Sequence, residues 1–237
     1  VIVVDHHLPD DKVNALVDVH INPLLVGYSS GITAGMLGAE LSRLINLDVE
    51  KINFLPALAG IGDKSKVPEM DQYLLLAKQN GYDKDFLYKL AVSVDFVAYY
   101  LRSIEAREVI QDLLGENQEV QLRMVDMLYN ESMRRKNALL ESVKKYGDIK
   151  DVDGKTIAMI DLDKIYTGEF PAYGKITGMV SDWLNEEHKR VYVIGISNEM
   201  AVIRVSHEEP FKLHEIINSL NDVPQVSGGG HERAGTI

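Results

Sequence analysis

The sequence contains no cysteine among its 237 residues. This absence excludes a disulfide framework and any metal site built from thiolates. The chain also has no apolar run approaching the length of a membrane span, and no charged-then-apolar signal segment. The simplest expected location is therefore the cytoplasm, and no membrane partner is expected.

Positively charged residues are fewer than negatively charged ones. The chain has 25 Lys and Arg residues and 36 Asp and Glu residues, which gives a formal net charge of −11. This balance argues against a protein that coats nucleic acid through bulk positive charge. It leaves room for an enzyme with a local basic track beside a metal site, because bound divalent cations cancel part of an acidic field. The 46% of hydrophobic residues can form a substantial core in one large or two modest domains.

The order of sequence patterns predicts an α/β protein with two modules. Val1–Val4 is an apolar, β-branched run typical of a strand buried in a parallel sheet. Residues 69–147 have helical periodicity, and Glu119–Lys145 predicts a long linking helix. A change of pattern between Tyr146 and Gly154 predicts a boundary. We therefore expect a first domain over 1–115, a linking helix within 116–150 and a smaller α+β domain over 151–237.

Several local features of the first domain can also be predicted. Phe54–Ala59 is expected to be helical, and Gly60-Ile61-Gly62-Asp63 to be a loop whose glycines let a carboxylate approach a site. Ser29 or Ser30 is expected to cap the helix that follows. The sequence begins without methionine inside an apparent strand and ends at residues resembling the start of another. We therefore expect it to be a fragment of a longer protein.

Asp5-His6-His7 follows the first predicted strand at its carboxyl end, where ligands bind in open α/β sheets. A carboxylate with imidazoles suits Mn, Fe or Zn better than Ca. One imidazole could ligate a metal while the other donates a proton or contacts phosphate. The alternative is a surface or hydrogen-bonded histidine pair.

Three further features are candidates for binding a metal or a phosphate. Asp63 could be a metal ligand or only a turn or cap residue. Arg204, within a predicted strand, could grip phosphate bidentately or face solvent at an edge. Gly228-Gly229-Gly230-His231 could bring backbone N–H groups and an imidazole around an anion, or be a flexible turn with a bystander histidine.

Taken in order, these motifs resemble the DHH phosphoesterase superfamily, in its subfamily with a DHHA1 C-terminal domain. The resemblance spans nearly the whole chain. Within the family, the chain is most similar to the archaeal RecJ-like proteins. The matching motifs are Asp5-His6-His7, Gly62-Asp63, Arg204-Val205-Ser206, and Gly228-Gly229-Gly230-His231 followed by Ala234-Gly235.

The resemblance implies a parallel-sheet DHH domain, present in part, a helical linker and a DHHA1 domain. It further implies a two-metal phosphodiesterase that uses Mn²⁺, with Mg²⁺ as the alternative. His6 and Asp63 would ligate metal, Asp5 would support the site, and His7 would contact the scissile phosphate or assist the leaving group. Arg204, Gly228–Gly230 and His231 would bind substrate. The family's two further aspartate motifs would lie before Val1.

Three functions stay open under this resemblance. The leading one is a single-strand-specific exonuclease that releases mononucleotides from DNA or RNA. The second is a nano-RNase or cyclic-dinucleotide phosphodiesterase, and the third is a non-catalytic replication scaffold derived from RecJ. Partnership with the GINS replication complex, known for some archaeal relatives, is a further expectation.

Overall fold

The computed structural model describes residues 1–9, 11–46, 52–100, 104–115, 117–165, 170–206, 210–220, 223, 226–231 and 233–237, without the side chains at positions 13, 104, 105 and 231. The chain divides into two compact units, Val1–Asn130 and Glu131–Ile237. A 29-residue helix, α7 (Gln118–Tyr146), begins in the first unit and ends in the second. This helix confirms the long helix expected between Glu119 and Lys145.

The first unit consists of helices and a parallel pair of strands. Its remaining elements are β1 (Ile2–Val4), α1 (Asp11–Asn14), β2 (Val19–Ile21), a 3-10 turn (Pro23–Val26), α2 (Ala34–Ile45), α3 (Leu55–Gly62), α4 (Glu69–Gln79), α5 (Lys84–Tyr100) and α6 (Ile104–Leu113). β1 and β2 pair in register from Ile2 opposite Val19 to Val4 opposite Ile21. Since both strands run the same way, their carboxyl ends meet at one edge.

Helix α3 forms the centre of this unit and packs against α2 and α5. Its sequence is apolar on nearly every side, as a helix surrounded by other elements requires. Ala57 of α3 and Leu87, Leu90 and Val97 of α5 are fully buried. This packing fixes the end of α3, and therefore Asp63, relative to the rest of the unit.

Two local predictions for the first unit were wrong. The predicted loop at Gly60–Gly62 is the last turn of α3, and a β-carbon at Gly60 would lie 2.1 Å from Met70 Sδ and 2.5 Å from Met36 Cε. Gly60 therefore permits close packing inside a helix instead of ending it. The N-cap of α2 is Thr33, whose hydroxyl accepts a hydrogen bond from Met36 N at 3.3 Å, and neither Ser29 nor Ser30 caps the helix.

The second unit is an α+β module around a mixed sheet. Its elements after α7 are β3 (Asp148–Val152), β4 (Lys155–Asp161), α8 (Leu162–Ile165), α9 (Tyr173–Asn185), β5 (Val191–Ile196), β6 (Ala201–Val205), α10 (Leu213–Ser219), β7 (Gly229–His231) and β8 (Ala234–Thr236). Within the described residues the sheet order is β3-β4-β5-β6-β8-β7, and β4 and β5 form its parallel pair.

One face of this sheet is buried by helices, and α9 packs against β5 and β6. Apolar residues of α7, α9 and the central strands share the core. Its fully buried members are Val143, Ala158, Leu162, Ile176, Val180, Val191 and Val193. Apolar residues of β4, β5 and β6 therefore supply the inner face of the sheet.

β5 and β6 pair antiparallel on either side of Ser197–Glu199 and form a hairpin. β3 was not predicted from the sequence. It is an edge strand, and its charged residues Asp148, Lys150 and Asp151 leave too few apolar positions for a recognisable strand pattern. It lies inside the segment taken as a boundary, and the three-part domain division stays a prediction. None of the helices described here combines the length and apolar character of a membrane span.

Candidate metal and phosphate site

Asp5, His6 and His7 form a loop directly after β1, which we call the Asp-His-His loop. The backbone N–H of Asp5 donates to Ile21 O at 3.1 Å, so the pairing with β2 continues to the start of the loop. The potential ligand atoms of the three side chains all lie within 4.8 Å of one another. The strand end thus brings one carboxylate and two imidazoles together, as the sequence predicts.

The Asp5 carboxylate organises this loop through one of its oxygens. Oδ1 accepts hydrogen bonds from His6 N at 2.8 Å, His7 N at 3.3 Å and His7 Nδ1 at 2.7 Å. Partial burial by itself raises the pKa of Asp5, but these hydrogen bonds and the attraction of His7 together hold the pKa below its usual value. Asp5 is therefore an anion that holds its two neighbours in place.

His6 is buried, with 8% of its surface exposed, and its ring orientation is fixed. Its Nδ1 lies 2.8 Å from Ser30 O, and since a carbonyl only accepts, Nδ1 carries the proton. With the proton of the neutral tautomer on Nδ1, Nε2 is the ring atom available as a metal ligand, and it lies 3.8 Å from Asp63 Oδ2. Asp63 follows α3 as its C-cap and is half-exposed.

His7 has the opposite environment, because its side chain is 57% exposed. Its Nδ1 lies 2.7 Å from an oxygen of Asp5, and an ionised carboxylate only accepts, so Nδ1 donates and Nε2 is directed away from Asp5. A carboxylate that orients an imidazole in this manner is the arrangement found in acid–base pairs. The two adjacent histidines are therefore suited to different tasks.

The geometry of His6 and Asp63 fits one divalent ion. An ion about 2.1 Å from each ligand atom can join atoms separated by up to about 4.2 Å. The separation of His6 Nε2 and Asp63 Oδ2 is 3.8 Å, within that span. The donor set of imidazole and carboxylate suits Mn²⁺, Fe²⁺ or Zn²⁺.

Asn22 supports the Asp-His-His loop and is not among the candidate residues that the sequence indicates. It follows β2, is 4% exposed, and its Nδ2 donates to the backbone carbonyl of His7 at 2.9 Å. Its Oδ1 also accepts from Leu24 N at 3.0 Å and caps the 3-10 turn. The only sequence signal is an amide residue at the end of the strand beside the Asp-His-His loop.

Arg204 lies in β6 of the second unit, on the face of the sheet that α9 covers. It pairs with Val193, which is fully buried, and directly paired residues point to the same face. Burial lowers the pKa of Arg204, with Asp182 of α9 opposing that effect. Within the described residues, no atom accepts a hydrogen bond from its buried Nε.

The glycine run forms part of β7, which pairs with β8 at the edge of the sheet. Gly230 has a φ of 139°, and a β-carbon there would lie 2.3 Å from Ala234 O. Two of the three glycines are therefore required by close backbone packing, since a β-carbon at Gly228 would lie 2.7 Å from Thr236 O. A β-carbon at Gly229 would meet nothing within 4 Å, so the fold does not demand glycine at that position.

Arg204 and His231 lie in one row of the sheet, because both pair with Ala234 of β8. The backbones of β6 and β7 are separated by a single strand, which corresponds to roughly 10 Å. The His231 side chain lies outside the described part of the chain. Arg204 and the glycine run are thus close in the second unit, while Asp5, His6, His7 and Asp63 are close in the first.

Asp161 and Asp163 make hydrogen bonds within turns and between loops of the second unit. Asp161 Oδ1 accepts from Lys164 N at 3.1 Å. Asp163 accepts from Tyr173 Oη at 2.9 Å and from Asn198 N at 2.8 Å. They line a shallow cavity of about 390 Å³ at the carboxyl ends of β4 and β5. These bonds hold loops of the second unit together.

No protein-family model matches the chain. A curated relative, the uncharacterized protein MJ1198 of Methanocaldococcus jannaschii, is 33% identical over 271 aligned positions, which cover 100% of this chain and 36% of the relative. A solved DHH domain from a member of a ribosomal-protein family is also 33% identical, with a TM-score of 0.91 over 99% of this chain and 58% of that one. Both relatives are much longer than this chain.

The structural neighbours of this chain are DHH-domain proteins. They also include RecJ of Thermus thermophilus in complex with Mn²⁺, at 19% identity and a TM-score of 0.63, over 100% of this chain and 38% of RecJ. At that identity the likeness establishes the fold. The α/β architecture expected from the sequence, with a parallel sheet and helices, is therefore confirmed.

Proposed function

We propose that the chain carries the metal-binding and phosphate-binding groups of a DHH phosphoesterase, and that the whole protein is a single-strand-specific exonuclease. The observation that carries the proposal is the pairing of His6 Nε2 with Asp63 Oδ2 at 3.8 Å, with the His6 tautomer fixed by Ser30 O. The likeness to a solved DHH domain at 33% identity supports the family. The RecJ fold supports the choice of substrate.

His6 and Asp63 would hold a divalent ion, most suitably Mn²⁺ with Mg²⁺ as the alternative. The RecJ structures of the same fold were solved with these two ions. When bound, such an ion supplies Lewis acidity and a nucleophilic water for phosphodiester hydrolysis. Two ions are expected in the intact protein, as the family resemblance implies.

Three groups of this chain would then act on the substrate. His7, oriented by Asp5, would contact the scissile phosphate or hold the proton required by the leaving oxygen. Arg204 would donate from its guanidinium to a neighbouring phosphate. Gly228–Gly230 and His231 would add donors for the same anion, and Gly229 has open space above it.

The test is Mn²⁺-dependent release of nucleotides from end-labelled single-stranded DNA and RNA, with a dinucleotide as a competing substrate. It should use the natural protein in full, because the chain spans 36% of its curated relative. Processive release from one end is expected, and it would also give the polarity and the sugar preference. Release from the dinucleotide alone would favour a short-oligonucleotide enzyme. No release with Mn²⁺ present and the fold verified would favour the replication scaffold.

Partnership with a GINS complex and a cytoplasmic location both remain predictions.

A further inference from the structure

We propose that Ser65 is a positioning residue that fixes the distance between His6 and Asp63. This inference rests on the proposed function, in which these two side chains share an ion. Ser65 follows Asp63 by two positions, and its hydroxyl donates to Gly31 O at 2.6 Å. The carbonyl of the preceding residue, Ser30, accepts from His6 Nδ1 at 2.8 Å. Two neighbouring carbonyls, of Ser30 and Gly31, therefore accept hydrogen bonds from the two segments that carry His6 and Asp63.

The backbone between Asp63 and Ser65 ends α3 in a left-handed turn. Lys64 has a φ of 54°, its N–H donates to Ile61 O at 3.2 Å, and Ser65 N–H donates to Gly60 O at 2.8 Å. This pair of bonds is a Schellman motif, in which the left-handed position is usually glycine. A β-carbon disfavours that conformation, so tertiary contacts must hold the turn. The Ser65 hydroxyl supplies one of them.

Close packing reinforces the same junction. A β-carbon at Gly31 would lie 2.7 Å from Val67 Cγ1 and 3.6 Å from Ser65 Oγ, so the segments around Gly31 and Ser65 have no room between them. The segment around Gly31 cannot move towards the α3 end, and the hydroxyl bond prevents its moving away. The His6 ring and the Asp63 carboxylate are therefore attached to one junction.

The continuous path runs from Asp63 along the backbone to Ser65, across to Gly31 and Ser30, and on to the His6 ring. Groups that hydrogen-bond directly to metal ligands typically change metal affinity by about 10- to 100-fold when they are removed, and Ser65 acts through one further backbone link, so the lower end of that range is expected. Without the hydroxyl, the Lys64 turn loses its link to the segment that orients His6. We expect the ion to bind more weakly while the fold is kept.

The experiment compares Ser65→Val with Ser65→Thr in the natural protein in full. The two side chains have nearly the same shape, and only threonine keeps the hydroxyl donor. Mn²⁺ affinity is measured by the loss of the free-ion EPR signal, and folding by thermal unfolding followed by circular dichroism. The matched control is Ser42→Ala, because Ser42 Oγ also donates to a glycine carbonyl, that of Gly38 at 2.8 Å, but within the exposed surface of α2.

The expected result is Mn²⁺ binding weakened by about tenfold in Ser65→Val. Ser65→Thr and Ser42→Ala should bind like wild type. Equal Mn²⁺ affinity in the Val and Thr variants would overturn the role of Ser65, even if Asp63→Ala abolishes binding. A wild-type protein that binds no Mn²⁺ would instead overturn the proposed function, and this inference with it. If Ser65→Val alone fails to fold, a Ser65→Thr variant with weakened Mn²⁺ affinity would also overturn the proposal.

Discussion

His6 Nε2 lies 3.8 Å from Asp63 Oδ2, and the two side chains come from the ends of different elements, β1 and α3. Each is held by protein groups, and the Ser65 hydroxyl bond to Gly31 O joins the two supports. Ser30 O fixes the His6 ring, while the Schellman turn at the end of α3 fixes the backbone of Asp63. Their proximity is therefore a property of the fold.

Replacing Asp63 by Ala should abolish metal-dependent hydrolysis and leave the fold intact. Asp63 has 52% of its side chain exposed, so its removal creates no cavity in the core. The measurement is Mn²⁺-dependent turnover, with circular dichroism to verify folding. The matched control is Asp126→Ala, which removes an exposed carboxylate from α7. Undiminished turnover in Asp63→Ala would refute its role as a ligand.

Replacing Asn22 by Ala should lower both stability and turnover. The variant leaves the carbonyl of His7 and the N–H of Leu24 without their buried partner, and each such loss costs about 1–3 kcal/mol. The free energy of unfolding can be measured in urea. Asn22→Asp separates the two bonds, because it keeps an acceptor for Leu24 N but has no donor for His7 O. An Asn22→Ala protein as stable and as active as wild type would contradict this account.

The Asp-His-His loop could be predicted because its residues are adjacent and follow an apolar strand. The helical part of the chain could also be predicted, since α5 and α7 have clear periodicity. Asp63 was identified as a candidate ligand, but its surroundings were not, because Gly60 looks like a loop residue until its contact with Met70 is known. Tertiary packing overrides the low helix propensity of glycine at that position.

The supporting residues of the site could not be predicted from the sequence. Asn22, at the end of β2, donates to the carbonyl of His7, at the end of the neighbouring strand β1. Ser65, just after α3, donates to the carbonyl of Gly31. Both contacts use backbone acceptors, which every residue carries, so no residue type marks the partner. In the second unit, the glycine run suggested an anion site, but the closeness of β7 and β8 also explains two of its glycines.

Tyr73 gives a prediction for alkaline pH. Burial raises the pKa of Tyr73 to about 12, and the charge and hydrogen bond of Glu40 contribute to that rise, while Arg43 opposes it. A raised folded-state pKa means that the neutral phenol is favoured by folding. The contribution of the Tyr73 phenol to the free energy of unfolding is therefore complete below the ordinary tyrosine pKa of about 10. It is lost as the pH rises through about 12.

Absorbance titration of tyrosinate checks this expectation. The difference between wild type and Tyr73→Phe should show one phenol titrating near pH 12. Glu40→Gln should move that step to lower pH, because it removes the negative charge that opposes ionisation. A step near the ordinary value of about 10 in the difference spectrum would show that Tyr73 does not have this environment.

Replacing single residues of the glycine run separates its structural role from its binding role. Gly230→Ala places a β-carbon 2.3 Å from Ala234 O at a φ of 139°, and we expect it to destabilise the second unit by about 1–3 kcal/mol or more. The β-carbon of Gly229→Ala has no other atom within 4 Å, so the free energy of unfolding of this variant should stay near that of wild type. Urea unfolding of both variants tests this difference.

The same Gly229→Ala variant tests whether an anion is bound at the run. A methyl group in the open space would exclude a phosphate from the backbone N–H groups, and the KM for a single-stranded substrate should rise. The effect should fall on KM more than on kcat, since the Asp-His-His loop is unchanged. His214→Ala, which removes an exposed imidazole from α10 of the same unit, is the control. An unchanged KM in a folded Gly229→Ala protein would mean that the glycines serve only the pairing of β7 with β8.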